Sequence, residues 1–493
     1  MRKAILGLFI VITFLIFKPL LSSSWYPMHD STHIARVYLL EKTIKSGQIP
    51  AIWASDIGDG AGYPLFHFYA PLVYYLSLFG KLLTGSYFVG IKIVLILATV
   101  VSLSGMYLLT RKWGRSAGIV ASISYVLLPY AAINIYVRGA FAEYLAMSLL
   151  PWVFYVWTDL ESRKKQVIAT VITSLFLLSH NLMPLITAPF LLVWIILNKP
   201  KKYTKWFLPL IVTFTLSAFY LLPVLFERSF VMADSVARTT NYALHFVSPA
   251  QLWNSMWGYG GSGLGLEDGM SFKIGKIQLI LAIIATVLII LRKNLKLLFC
   301  VMAGIGAYFM TTQYSVMIWQ SIGTLSIVQF PWRFLALGGF FVSMLAGYST
   351  TLVSSKVWQF IITTSVVLAL LFFNLKYFIP QTTFPSNQQN YTNQSYINSL
   401  PNIIPEYQPS WSHITNAILP EYTILPQLYY PTWQVTLDSR RISAFPINGY
   451  LAFSNPTQST DYSIKQVHTN LEYIAHILSL SSLIFLIYVY GKK

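Results

Sequence analysis

The stretch HDSTH sets a carboxylate, Asp30, beside one imidazole, His29, and three residues before another, His33. If 30–45 is helical, Asp30 and His33 share a face, and His29 and His33 are neighbours one turn apart. A carboxylate among imidazoles can bind a divalent cation or act as a proton acceptor. The same residues also have a plain structural reading, with Asp30 capping the helix and His33 stacked on aromatic rings.

RGAFAE offers Arg138 and Glu143 in a short turn between apolar stretches. A charge at the bilayer centre costs roughly 2.5–3.5 kcal/mol, so both are expected to face a protein cavity. The alternative is that Glu143 complements a helix dipole while Arg138 snorkels. QFPWRF places Arg333 at a helix start, where a guanidinium can grip a phosphate in bidentate fashion or anchor an interface beside Trp332. His180 and Asn181, in SHN, add an imidazole and an amide near an outer helix end, although a histidine at a helix end commonly just satisfies a hydrogen bond. Asp56 and Asp59, in SDIGDGAGYP, read as turn chemistry.

These residues need a scaffold, and composition defines it. Of 493 residues 55% are hydrophobic and only 10% charged, which excludes disorder, a coiled coil or a soluble enzyme. A single cysteine, Cys300, excludes a disulfide framework and a thiolate metal cluster within one chain. Twelve apolar runs reach or approach the length a bilayer requires: roughly 4–21, 88–110, 116–134, 142–158, 166–181, 183–198, 206–226, 276–291, 295–311, 333–352, 357–378 and 471–490. A thirteenth, 66–83, is aromatic, broken by Pro71 and closed by Lys81, and reads as interfacial. The start of the chain reads as an uncleaved first helix, because Lys18 and Pro19 stand where a small-residue cleavage site would be approached.

Basic residues in short loops stay in the cytoplasm. With both termini inside, every short basic cluster falls on one side: Arg2/Lys3, Arg111/Lys112/Arg115, Arg163–Lys165, Lys199–Lys205, Arg292/Lys293/Lys296, Lys356 and Lys492/Lys493. The inner connectors hold 18 basic and 2 acidic residues, the outer ones 16 and 14, so the net charge of +18 is a topology signal and not a nucleic-acid surface. All eight histidines fall in outer loops or near outer helix ends, where the chemistry is expected.

The resulting expectation is an all-α polytopic membrane protein of about twelve transmembrane helices, with a transmembrane domain over 1–378 and a large first outer loop over 22–87. The segment 379–470 is expected to hold a Gln/Asn/Ser-rich linker at 386–399 and a small extracytoplasmic antiparallel β module of five strands. A final helix and tail occupy 471–493. The module reads as structural or lid-like, and the NYT and NQS sequons in the linker matter only in a secretory pathway. The glycines of GYGGSGLGLEDG suit a mobile loop or a close backbone approach, with spacing wrong for a dinucleotide site. No repeat is evident, and no span carries an acid or base near its centre, which counts against ion-coupled transport.

A first helix followed by an outer Asp, a loop ending in GYPLFHFYAPLVYYL, a helix closing on LLTRKWGR and the turn IYVRGAFAEYLA resemble the membrane-protein family labelled "6-pyruvoyl-tetrahydropterin synthase-related". The resemblance covers roughly residues 1–350 and is densest over 28–182. YYPTWQVTLDSRR also looks like the small β module near the carboxyl end of large bacterial multi-span proteins. The label does not imply pterin chemistry, since the zinc framework of the soluble synthase is not reproduced.

The family is placed among GT-C-like multi-span glycosyltransferases, and the resemblance implies a polyprenyl-phosphate-linked sugar donor, action at the outer face of the plasma membrane, and a catalytic acid in the first outer loop. On that resemblance Asp30 matches the first-loop acid, and Glu143 with Arg138 matches the second outer loop. The family's first-loop motif is frequently a pair of acids, whereas Asp30 here follows His29. The expectation is that Asp30 and Glu143 are catalytic, that Arg138, Arg333, His180 and Asn181 bind phosphate or donor, and that His33 and Asp30 share a divalent cation. His67, Tyr69, Tyr74 and Tyr75 would form an aromatic wall for the sugar or lipid. The rival readings are a non-catalytic scaffold or assembly protein for envelope polysaccharide and a lipid or polysaccharide flippase.

Overall fold

A computed structural model describes residues 2–198, 204–413 and 420–491. Lys199, Lys201, Lys202, Lys492 and Lys493, assigned above to inner clusters, lie outside the described residues. The chain divides into two compact units built from interleaved segments: 1–31, 79–209 and 241–386 form the first, and 32–78, 210–240 and 387–493 the second.

Each of the twelve apolar runs falls on a helix or a bent pair of helices. The count of twelve spans is not confirmed. Among the described residues, five helices are long and apolar enough to cross a membrane, and up to seven if two bent pairs are each one span. The segment 66–83 forms two helices, Leu65–Phe68 and Leu72–Thr84, and the longer one leaves Phe79, Leu82 and Leu83 exposed.

The first unit is organised around the helix Leu335–Ser349, which is buried along its whole length. A helix apolar on every side belongs in the middle of a bundle, and the helices Arg115–Val126, Lys276–Leu291 and Leu295–Thr311 pack on it. The outward faces of the latter two expose Ile280, Ile283, Val287, Met302 and Ile305, a surface suited to lipid.

One bend in this unit matters for the site. Pro129 opens the helix Pro129–Tyr136, holds Leu128 extended and ends the preceding helix, giving a 40° bend. The Gln278 side-chain amide donates to the carbonyls of Ser124 (3.3 Å) and Leu127 (3.4 Å), groups the break would otherwise leave unsatisfied in an apolar setting. After the first helix, Ser24 and Trp25 pair antiparallel with Pro385 and Phe384. Lys92 donates to the carbonyls of Ser22 and Ser24, each at 2.8 Å, which fixes the chain leading to Asp30.

The second unit contains the β module and the helix Asn470–Gly491. The module has six strands where five were expected, in two antiparallel three-stranded sheets. Tyr450–Ser454 lies between Tyr422–Leu428 and Ala444–Ile447, and Trp433–Leu437 lies between Arg440–Ile442 and Tyr462–Gln466. RRISAF therefore divides at Ser443, one half joining each sheet. Their inner faces meet in a core of Leu425, Val435, Leu437, Leu451 and Phe453. Much of the expected linker is helical, as Gln389–Thr392 and Gln394–Ile403.

Candidate active site

In the first unit, Gly139 allows the turn between the helices Pro129–Tyr136 and Phe141–Val156 with a φ of +68°. A Cβ there would stand 2.5 Å from Met28 Sδ and 3.0 Å from the Asp30 carbonyl oxygen, so the chain carrying Asp30 lies directly on this turn. The amides of His29 and Asp30 donate to the carbonyls of Val137 (3.1 Å) and Arg138 (2.9 Å). His29 Nε2 is also 3.0 Å from the Tyr259 carbonyl oxygen.

Glu143 sits in the first turn of its helix and is only 1% exposed. Its carboxylate accepts from Arg138 Nη1 at 3.0 Å and from the Tyr130 hydroxyl, and Arg333 Nε is 4.0 Å away. Arg138 Nη1 also donates to Asn134 Oδ1 at 2.5 Å, and its guanidinium stacks 4.3 Å above the Trp332 ring. Arg333 Nη1 donates to the Val328 carbonyl at 2.6 Å. Two guanidinium groups thus gather at one buried carboxylate. Glu143 is engaged in orienting them, an arrangement suited to stabilising anionic charge.

His180 is within electrostatic reach of Glu143, Arg138 and Arg333. Its Nδ1 accepts from the amides of Leu182 and Met183, each at 3.1 Å, so it caps the helix Leu182–Leu197 that Asn181 precedes. The structure therefore gathers Arg138, Glu143, Arg333 and His180, with the Asp30 backbone bonded to Arg138. Tyr130 and Asn134 are members that sequence reasoning missed, although their four-residue spacing from each other and from Arg138 was a usable signal.

The glycine-rich loop is built for close backbone approach. The amide of Gly260 donates to Gly269 O at 2.9 Å and that of Gly269 to Gly261 O at 2.8 Å, and a Cβ on Gly269 would stand 2.7 Å from the Gly260 Cα. Asp268 closes the loop, accepting from the Gly263 amide at 2.8 Å and from Gln251 at 2.6 Å. Burial holds the Asp268 carboxyl above, and the nearby His245 imidazole below, the usual range for each. Ser262 in the same loop contacts both His245 Nδ1, at 2.6 Å, and Trp332 Nε1, at 3.3 Å.

The other candidates belong to the second unit. The helix expected from residue 30 begins at His33, with Thr32 as its cap position, so Asp30 is outside it and the shared helical face does not form. His33 Nδ1 is 3.0 Å from the Tyr74 hydroxyl, which accepts from Arg36 at 2.8 Å. The Arg36 guanidinium lies 4.1 Å over the Tyr69 ring. The Tyr75 hydroxyl accepts from the Ala51 amide at 3.0 Å, and His67 meets Glu227 and Glu472. Asp56 pairs with Lys42 and Asp59 with Asn398, and Asp59, at a φ of +59°, has the left-handed backbone of a turn.

A family model described as "6-pyruvoyl-tetrahydropterin synthase related domain; membrane protein" matches residues 66–379, well over half the chain. No curated protein matches the sequence. Among solved structures, the chain is similar to the arabinofuranosyltransferase AftD from Mycobacteria, with 14% identity and a TM-score of 0.44 over 78% of this chain and 28% of that one. It is also similar to ArnT from Cupriavidus metallidurans, solved bound to undecaprenyl phosphate, with 13% identity and a TM-score of 0.41 over 75% of this chain and 63% of that one. The chain thus spans less than a third of AftD and less than two thirds of ArnT.

Proposed function

The chain belongs to the 6-pyruvoyl-tetrahydropterin synthase-related family of membrane proteins, and on that premise we propose that it is an integral-membrane glycosyltransferase using a polyprenyl-phosphate-linked sugar at the extracytoplasmic face of the plasma membrane. The observation that carries the reading is the Glu143 cluster, where one buried carboxylate holds Arg138 and Arg333 together and the Asp30 backbone docks on Arg138.

In this reading Asp30 takes the proton from an acceptor hydroxyl. The hydroxyl oxygen attacks the anomeric carbon as the bond from that carbon to the phosphate oxygen breaks, so the configuration inverts and polyprenyl phosphate leaves. Arg138 and Arg333 stabilise the charge developing on the phosphate, an effect that is largest where water is excluded. Glu143 positions the two guanidinium groups.

The test is Asp30→Asn in the purified protein, assayed with a lipid-linked sugar. Loss of a general base is expected to lower turnover about 10²–10⁴-fold. Unchanged product formation would sink the assignment of Asp30 as the base, and a folded wild type that forms no product from a lipid-linked sugar would leave the scaffold reading in its place.

A further inference from the structure

His67, Glu227 and Glu472, all in the second unit, are far apart in the chain yet bring one ligand atom each to within 4.8 Å of one another. His67 lies in the helix Leu65–Phe68, Glu227 directly after Ala218–Phe226, and Glu472 in the first turn of Asn470–Gly491. All three are buried, with relative exposures of 5%, 4% and 1%.

The two carboxylates are arranged alike, with one oxygen held by neighbours and the other turned toward His67. Glu227 Oε1 accepts from the Thr469 hydroxyl at 2.5 Å, and its Oε2 is 2.9 Å from His67 Nε2. Glu472 Oε2 takes the Thr469 amide at 3.2 Å and faces His468 Nδ1 at 2.7 Å. Its Oε1, 3.4 Å from His67 Nε2, is buried and has no hydrogen-bond partner. The hydroxyl of Tyr430, buried and likewise without a partner, is within electrostatic reach of both carboxylates.

Charge balance points the same way. Among the described residues no lysine or arginine pairs with Glu227 or Glu472. With the His67 and His468 imidazoles neutral, the two buried carboxylates give this dry site a net charge of −2, a costly arrangement. A divalent ion with a neutral imidazole and two carboxylates sums to zero. The outer contacts from Thr469 and His468 are those that orient first ligands in metal sites.

We propose that His67, Glu227 and Glu472 bind a divalent transition-metal ion of the zinc class, which pins the start of the final helix to the other two segments. An imidazole nitrogen in the set favours zinc over magnesium or calcium, which take oxygen ligands. This inference does not depend on the glycosyltransferase reading, and its readout is the metal itself.

The test uses the full chain in detergent, stripped with chelator and dialysed against zinc ion alone. Elemental analysis is expected to find one zinc per chain, and stripping is expected to lower the melting temperature. His67→Ala and Glu472→Gln should each weaken zinc binding at least tenfold, while Asp438→Asn, at an exposed acid of the β module, should leave it unchanged. Cobalt substitution of the wild type covers variants that fail to fold, since ligation in this set gives visible d–d bands that added zinc abolishes. A wild type that retains no zinc, variants that retain it at wild-type affinity, or a cobalt spectrum identical to that of the free ion would each overturn the proposal.

Discussion

The Glu143 carboxylate, 1% exposed, lies 3.0 Å from Arg138 Nη1, an ion pair almost wholly withdrawn from solvent. Because Arg333 approaches the same oxygen, Glu143 is the common counter-charge of two guanidinium groups. Glu143→Gln keeps the shape and removes the charge. Removing one partner of a buried pair typically costs about 3–5 kcal/mol, since the remaining charge stays buried. The variant in detergent should therefore melt several degrees below wild type. Coincident melting curves would show that the arginines are not held by this carboxylate.

Gly139 governs the same site through the backbone. At a φ of +68° any other residue is strained by about 1–2 kcal/mol, and here a Cβ also collides with Met28 and the carbonyl of Asp30. Gly139→Ala should thus push the 28–30 segment off the turn and break the bonds from His29 and Asp30 to Val137 and Arg138. Under the proposed mechanism, turnover with a lipid-linked sugar should fall at least tenfold while Km for the donor changes less, because Asp30 is displaced and the arginines are not. Wild-type turnover in a folded Gly139→Ala protein would separate Asp30 docking from activity.

Local signals predicted local features well. The runs 276–291 and 295–311 coincide with helices, because apolarity sustained over such lengths is itself what the fold buries or turns to lipid. The β module was visible from alternation, but the division of RRISAF at Ser443 depends on which sheet each half joins, a tertiary choice. The 386–399 stretch has the composition of a linker, yet Asn393 caps the helix Gln394–Ile403 by accepting from the Tyr396 amide at 2.8 Å. In the site, Arg138 and Glu143 stood out as charges among apolar residues, and Arg333 as a charge at a helix start. Tyr130 and Asn134 stood out less, because apart from their four-residue spacing toward Arg138 a buried tyrosine or asparagine reveals its role only through the partner it meets. The His67, Glu227 and Glu472 cluster had no local signature at all, since three separate segments must fold before its ligand atoms converge.

The pH response of the glycine-rich loop follows from two opposed groups. Burial raises the pKa of Asp268 above its ordinary value, so its contribution to loop stability is complete below about pH 4 and is lost as pH rises through the folded-state value. His245, depressed by burial, acts in the other direction: its contribution is present above about pH 6.5 and is lost as pH falls through its folded-state value. Asp268→Asn removes the first effect and deepens the second, because the Asp268 charge partly offsets the depression of His245. Amide hydrogen exchange at Gly263 and Gly269, corrected for the intrinsic rate at each pH, reads the opening of the loop. In the variant, protection should fall steadily as pH drops below about 6.5, whereas in the wild type Asp268 should offset part of that fall at the acid end. Identical profiles for the two proteins would mean that Asp268, despite its contacts with Gly263 and Gln251, does not set the loop's stability.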